Sequence, residues 1–269
     1  MYWVLGEKIV QIIIIMNNQI EVHTASSFRD LIDRLLNGYS CGHVVFRGVQ
    51  DRVNHTLTSS LGRTDTSLTC GLSIEGFEEE IFRRFKLRAR PQLEFDPQND
   101  WEWLALAQHY GLPTRLLDWT SSPLIAAYFA TKPEIGHDGK LLSCNSNGGA
   151  IYAMHTCNYI DVNCVPSPFA YPSHGLFYPP HITGRISGQF GLFSIQPYPI
   201  KEFQEDFFTN EGNWIHKIEF SQGVAEEIQK SLYLLGIRHE TVFPDLDGFT
   251  YDLRVKFNVT DCHTINRLC

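Results

Sequence analysis

Several signatures that would assign a chemistry outright are missing from this chain of 269 residues. There is no GxSxG elbow, no Walker loop and no GxGxxG turn, which leaves a serine hydrolase, a P-loop NTPase and a dinucleotide-binding Rossmann unit without support. The seven cysteines form no CxxC pair, and an odd, scattered set suits a reduced cytoplasm better than a disulfide framework. His155-x-Cys157 with Cys164 matches no standard zinc spacing, so no metal is expected. A net charge of −8 excludes a general nucleic-acid binder, which needs a basic field, but is compatible with a local basic pocket. The apolar run Ile9–Ile15 is too short to span a membrane and is followed by no small-residue cleavage site, so no membrane partner is expected. Residues 1–15 read as a dispensable extension, with Met16 opening a hydrophilic segment like a natural start. Repeats, coiled-coil heptads and low-complexity linkers are absent too.

What is present concentrates in residues 103–130, WLALAQHYGLPTRLLDWTSSPLIAAYFA. Arg115 and Asp118 sit within an otherwise apolar run, where charges are costly unless paired or used. If Leu116–Thr120 is a strand, residues 116, 118 and 120 face one way and 115, 117 and 119 the other. Asp118 then shares a face with Thr120, whereas Arg115 points elsewhere, needs its own partner and braces the structure. Thr120, Ser121 and Ser122 precede Pro123, which suits the first turn of a nearly all-apolar, buried helix. A helix start flanked by hydroxyls offers its unpaired backbone N–H groups to an anion.

Around this segment the pattern predicts helices over about 27–37, 74–90, 100–110 and 223–235. Strands are expected at 43–47, 149–154, 192–196 and 214–220, with a final alternating strand at 249–257. Residues 157–185, rich in Pro, Tyr, Ser and His, read as a long surface excursion or lid. Helices early and strands late indicate α+β.

The words Phe46-Arg47-Gly48 (FRG) and AQHYGLPTRLLDWTSSPLIAAYFA (107–130) closely resemble the FRG-domain family. SLGR (60–63), FEEEIFRRFK (77–86), GRISGQFGLFS (184–194) and VFPDLDG (242–248) resemble further family segments. The resemblance therefore covers about residues 25–257 as a single domain, between an N-terminal extension (1–24) and a C-terminal tail (258–269). A more distant resemblance is to ADP-ribosyltransferases, which carry an Arg-Gly at a strand end, a Ser-Thr-Ser strand followed by a helix, and a strand with a catalytic Glu. Arg47-Gly48 resembles the first element. Asp118-Trp119-Thr120 stands in the Ser-Thr-Ser place, with Ala126 and Phe129-Ala130 following at matching offsets. Gln189 stands where the Glu normally is.

This second resemblance implies an α+β fold, an ADP-ribosyltransferase-like mixed sheet with an N-terminal helical portion. It implies a cytoplasmic protein that binds NAD as substrate, and transfers ADP-ribose to a protein or nucleic-acid target or cleaves the N-glycosidic bond. Arg47, Asp118, Thr120 and Gln189 would be the catalytic set. Arg47, Gly48, His109, Trp119, Thr120, Ser121 and Tyr128 would hold the nucleotide. Because a neutral amide at Gln189 supplies a hydrogen bond but no charge, Asp118, Glu240, Asp245 or Asp247 would supply the carboxylate. Two other readings stand beside it. One is a non-catalytic nucleotide- or partner-sensing module, in bacterial defence as the family's distribution implies. The other is an NAD-independent hydrolase or nuclease using His109 and Asp118.

Overall fold

In a computed structural model, which describes residues 20–39, 42–93, 95–179, 188–203, 207–208 and 212–259, the described residues form a seven-stranded mixed sheet with seven α-helices. Residues 1–15, most of the tail and the end of the 157–185 excursion lie outside the described residues. The strands are β1 (Glu21–Thr24), β2 (Val44–Val49), β3 (Leu116–Thr120), β4 (Gly149–His155), β5 (Gly175–Phe177), β6 (Gly191–Ile195) and β7 (Trp214–Phe220). Their spatial order is β1-β7-β4-β2-β3-β6-β5. β1 and β7 run parallel, and every other neighbouring pair is antiparallel. The helices are α1 (Phe28–Gly38), α2 (Ile74–Ala89), α3 (Asp100–His109), α4 (Pro123–Ala130), α5 (Gln222–Leu234), α6 (His239–Val242) and α7 (Leu246–Val259). No helix among the described residues is long and apolar enough to cross a membrane.

Both halves of one sheet face are covered by helices. Over β1, β7, β4 and β2, side chains such as Phe46, Ile151 and Ile218 meet α1, α4 and α5. Over β3, β6 and β5, Leu116, Phe193, Ile195 and Phe177 meet α2 and α3. Val45, Leu117, Trp119, Leu192 and Met154 point to the opposite face, where Leu57, Phe203 and Phe207 cover them. The alternation expected for Leu116–Thr120 is therefore the one observed, since the strand's odd and even residues join different cores.

Helix starts follow local chemistry. Ser27, Ser73 and Asn99 accept backbone N–H groups at the first turns of α1, α2 and α3, and Ser122 does the same for α4 with Pro123 at its first position. The strand expected over 249–257 is instead helix α7. Phe249, Leu253 and Phe257 are exposed, whereas Asp252 and Val255 are buried, a spacing of three that belongs to a helix face. The Asp245 carboxylate accepts the Gly248 N–H and caps the helix start, a signal that the apolar alternation masked. Part of the 157–185 excursion is built into the fold. Gly175–Phe177 is the edge strand β5, and the Trp101 indole donates to the Val165 carbonyl at 2.8 Å, holding the segment against α3. Strand β1 falls in the stretch read as an N-terminal extension and pairs with β7 over four residues.

Arg115 is buried and finds its partner on α2, where both its Nε and Nη2 donate to the Glu78 carboxylate, Nη2 at 2.6 Å. Burial pushes the Glu78 carboxyl above its ordinary value, and the guanidinium pulls it back. The pair locks α2 to the start of β3. Removing one partner strands the other charge in an apolar core, so Glu78→Ala is expected to cost about 3–5 kcal/mol. Replacing both, as Glu78→Leu with Arg115→Met, is expected to restore most of that loss. Urea unfolding of the single and double variants checks both values.

Candidate functional site

The centre of the sheet is not continuously hydrogen-bonded. β2 pairs with β4 along six residues and β3 with β6 along five, but β2 and β3 register only at Phe46 opposite Thr120. Beyond that point the two strands part and open a cleft of about 480 Å³. Helix α4 keeps the opening in place by lying directly on β2 at Gly48. A Cβ there would stand 1.8 Å from the Ala126 carbonyl oxygen, so the contact admits no side chain.

Arg47 bridges the gap. Its Nη1 donates to the Asp118 main-chain carbonyl at 2.7 Å and lies 3.6 Å from Asp118 Oδ2. The guanidinium thereby satisfies a backbone acceptor that a paired strand would otherwise satisfy. Its Nε is buried and has no acceptor among the described residues, a cost that the fold alone does not recover.

The Asp118 carboxylate is 58% exposed and is oriented by a relay. Thr114 Oγ1 donates to Gln108 Oε1 at 2.6 Å, and Gln108 Nε2 donates to Asp118 Oδ2 at 2.9 Å. Thr114 also accepts the Leu116 N–H, and its carbonyl accepts from Leu61 N and Ser60 Oγ. This fastens the turn Ser59–Arg63 and brings Arg63 to the cleft. Gly62 in that turn lies so close to Pro199 that a Cβ would fall 1.8 Å from its carbonyl oxygen. Arg63 donates to the Thr58 carbonyl. Its pKa is depressed by burial first and by the neighbouring Arg47 second, against the opposing pull of Asp118.

Arg47, Arg63 and Lys132 thus face one carboxylate, Asp118, among the described residues lining the cleft. This local cationic excess stands within a chain of net charge −8. Phe46, Phe129, Phe193 and Phe243 supply apolar walls, and the rings of Phe129 and Phe243 meet edge to face at 6.1 Å. Gln50, His55, Thr56 and His109 complete much of the polar rim.

The structure gathers Arg47, Gly48, His109, Asp118, Trp119, Thr120 and Gln189 around this cleft. Thr120 is almost fully buried, and its hydroxyl donates to the Gln189 carbonyl at 2.7 Å while accepting the Ser122 N–H at 3.0 Å. Trp119 commits its indole N–H to Ser194 on the far face. Ser121 is exposed and uses its N–H on the Phe190 carbonyl, and it is not a lining residue. Tyr128, itself on α4, is buried and does not line the cleft; its hydroxyl bonds His239 Nδ1 at 2.6 Å. Glu240, Asp245 and Asp247 do not line the cleft either. Arg63, Lys132 and Gln108 were not singled out from the sequence. Arg63 lay in the SLGR segment, but nothing local to these residues distinguishes them from solvated surface side chains.

The rim loop after β2 is held by Asp51. Its carboxylate accepts from the Val53 and Asn54 N–H groups and from the side chains of Asn54 and Asn147. Burial raises its pKa, but these hydrogen bonds outweigh it and hold the carboxyl far below the usual range. A depressed folded-state value means the stabilisation is fully present above the unfolded value of about 3.9 and is lost as pH falls through the folded one. Asp51→Asn is therefore expected to destabilise the protein at pH 7, with a deficit that shrinks progressively below about pH 4. Denaturant midpoints of both proteins across that range test the sign.

The family model of the FRG domain matches residues 42–139, a span containing β2, β3, α4 and every cationic residue named in the cleft. No curated protein and no solved structure matches the chain.

Proposed function

We propose that the cleft, within the span 42–139 that matches the FRG-domain model, binds NAD and acts on it as an ADP-ribosyltransferase-like centre. The observation that carries this reading is the convergence of Arg47, Arg63 and Lys132 at an opening between two sheet strands. Three cations around one carboxylate fit a diphosphate, which presents two negative charges and many acceptor oxygens to guanidinium forks. The aromatic walls offer faces and edges to the nicotinamide and adenine rings. Asp118, held by Gln108 and Arg47, is the carboxylate placed to stabilise positive charge developing on the ribose as the glycosidic C–N bond breaks and nicotinamide leaves with the bonding pair. An acceptor nucleophile, or water, then bonds to the anomeric carbon. Gln189 contributes a neutral amide at the same rim.

A second reading is favoured by one specific observation. Thr120 spends its hydroxyl on the loop that carries Gln189, and Gln189 bears no charge. A cleft built this way binds the nucleotide as a sensor without turning it over.

Calorimetry and a nicotinamide-release assay with labelled NAD on the full chain separate the two readings. Arg63→Ala and Lys132→Ala are each expected to weaken NAD binding by about tenfold to a hundredfold, equivalent to roughly 1.4–2.8 kcal/mol. Nicotinamide release that falls in Asp118→Asn supports catalysis. Binding without release supports the sensor, and a gain of release in Gln189→Glu would mark a transferase centre lacking its charge. Absence of NAD binding in the wild-type chain overturns both.

A further inference from the structure

Away from the cleft, at the other end of the sheet, the parallel pairing of β1 with β7 gathers a second set of chemically capable side chains. Glu21 stands directly opposite His216, and His23 follows two residues along β1, hence on the same face. One imidazole nitrogen of each histidine and a carboxylate oxygen of Glu21 all lie within 4.8 Å of one another. The Glu21 carboxylate divides itself between the rings, with Oε1 at 3.3 Å from His23 Nε2 and Oε2 at 3.4 Å from His216 Nε2.

These separations are long for charge-assisted hydrogen bonds, which close to about 2.7–2.9 Å. Each carboxylate oxygen stands near one Nε2, and one donor atom from each of the three residues lies within 4.8 Å of the other two, so three donors surround a common point that an ion with bonds of about 2.0–2.1 Å can occupy once the exposed Glu21 side chain turns one oxygen toward it. The outer contacts point the same way. His216 Nδ1 lies 3.2 Å from the Tyr39 hydroxyl at the end of α1, so the ring can donate its Nδ1–H there and leave the Nε2 lone pair facing Glu21. Trp214 stacks on the His216 ring at 4.4 Å between centroids, fixing its plane. The His23 and His216 rings meet edge to face at 5.3 Å. Both histidines are about three-quarters covered, while Glu21 is mostly exposed, leaving one side open to solvent.

We propose that Glu21, His23 and His216 form a zinc site that staples β1 onto β7, with water as the remaining ligand. Two imidazoles and a carboxylate suit Zn²⁺ and discriminate against Mg²⁺ and Ca²⁺, which favour all-oxygen shells. The ion joins two strands almost two hundred residues apart in the chain. It would therefore stabilise the folded sheet increasingly as free Zn²⁺ rises above its Kd. The His155, Cys157 and Cys164 set does not compete for this role, because Cys164 bonds Asp161 and His155 bonds the Gly212 carbonyl.

The test uses the full chain, stripped with chelator and titrated with Zn²⁺ against a chromophoric competitor, with thermal unfolding followed in parallel. Stoichiometric uptake, a Tm that rises with Zn²⁺ and falls again with EDTA, and at least tenfold weaker binding in Glu21→Gln and His23→Gln are expected. Glu21→Gln changes an exposed side chain without altering its shape, and circular dichroism confirms that the variant is folded. Cobalt substitution identifies the donors: visible d–d bands without thiolate charge transfer support the site. Sub-stoichiometric uptake, binding unchanged in both variants, or a thiolate band overturns it.

Discussion

The cleft exists because a seven-stranded sheet is joined at its centre by a single residue pair, Phe46 opposite Thr120. A ladder that stops after one register leaves main-chain groups unpaired on both lips, and these must be met by something else. Arg47 meets one of them by donating to the Asp118 carbonyl. The guanidinium is therefore both a strut across the gap and a charge in the cleft. Around it, each neighbouring element is held by a buried interaction of its own. Gly48 accepts the close approach of α4, Glu78 and Arg115 fasten α2 to β3, and Thr114 ties the turn bearing Arg63 to the segment bearing Asp118.

This arrangement gives the polar residues of the GLPTRLLDWTSS segment different tasks. Thr114 and Arg115 are structural and buried. Thr120 links the strand to the Gln189 loop, Ser122 caps α4, and Asp118 alone keeps an exposed charged group over the cleft. In the proposed reading, the cationic excess meets an anionic ligand and the one oriented carboxylate faces the part of it that turns positive.

Much of the fold was legible because its signals are local. Ser27 and Ser122 with Pro123 announce helix starts, and the short apolar run Gly149–Met154 reports a strand whose two faces both meet packed layers. The region 249–257 misled because its apolar residues alternate while only Asp252 and Val255 are buried among them. Which of several apolar residues is covered depends on neighbours distant in sequence. β1 was invisible for a related reason: a four-residue strand carrying two charged or ionisable side chains is recognisable only once β7 lies beside it.

The site divides along the same line. In the sequence alone, Phe46-Arg47-Gly48 and the 107–130 segment carry the resemblance to the FRG-domain family, and charge within an apolar run marks Arg115 and Asp118 as residues that must be paired or used; Arg47 and Gln189 are named through the more distant resemblance to ADP-ribosyltransferases. Tertiary structure decided which charges are spent internally and which remain available. It sent Arg115 to Glu78, turned Tyr128 from the cleft toward His239, and brought Arg63 and Lys132 to the cleft. It also placed Glu21 and His23 against His216 at the far end of the sheet. Such meetings depend on strand order and on where a ladder opens, and those are fixed by the packing of whole layers and not by the residues next to one another in the chain.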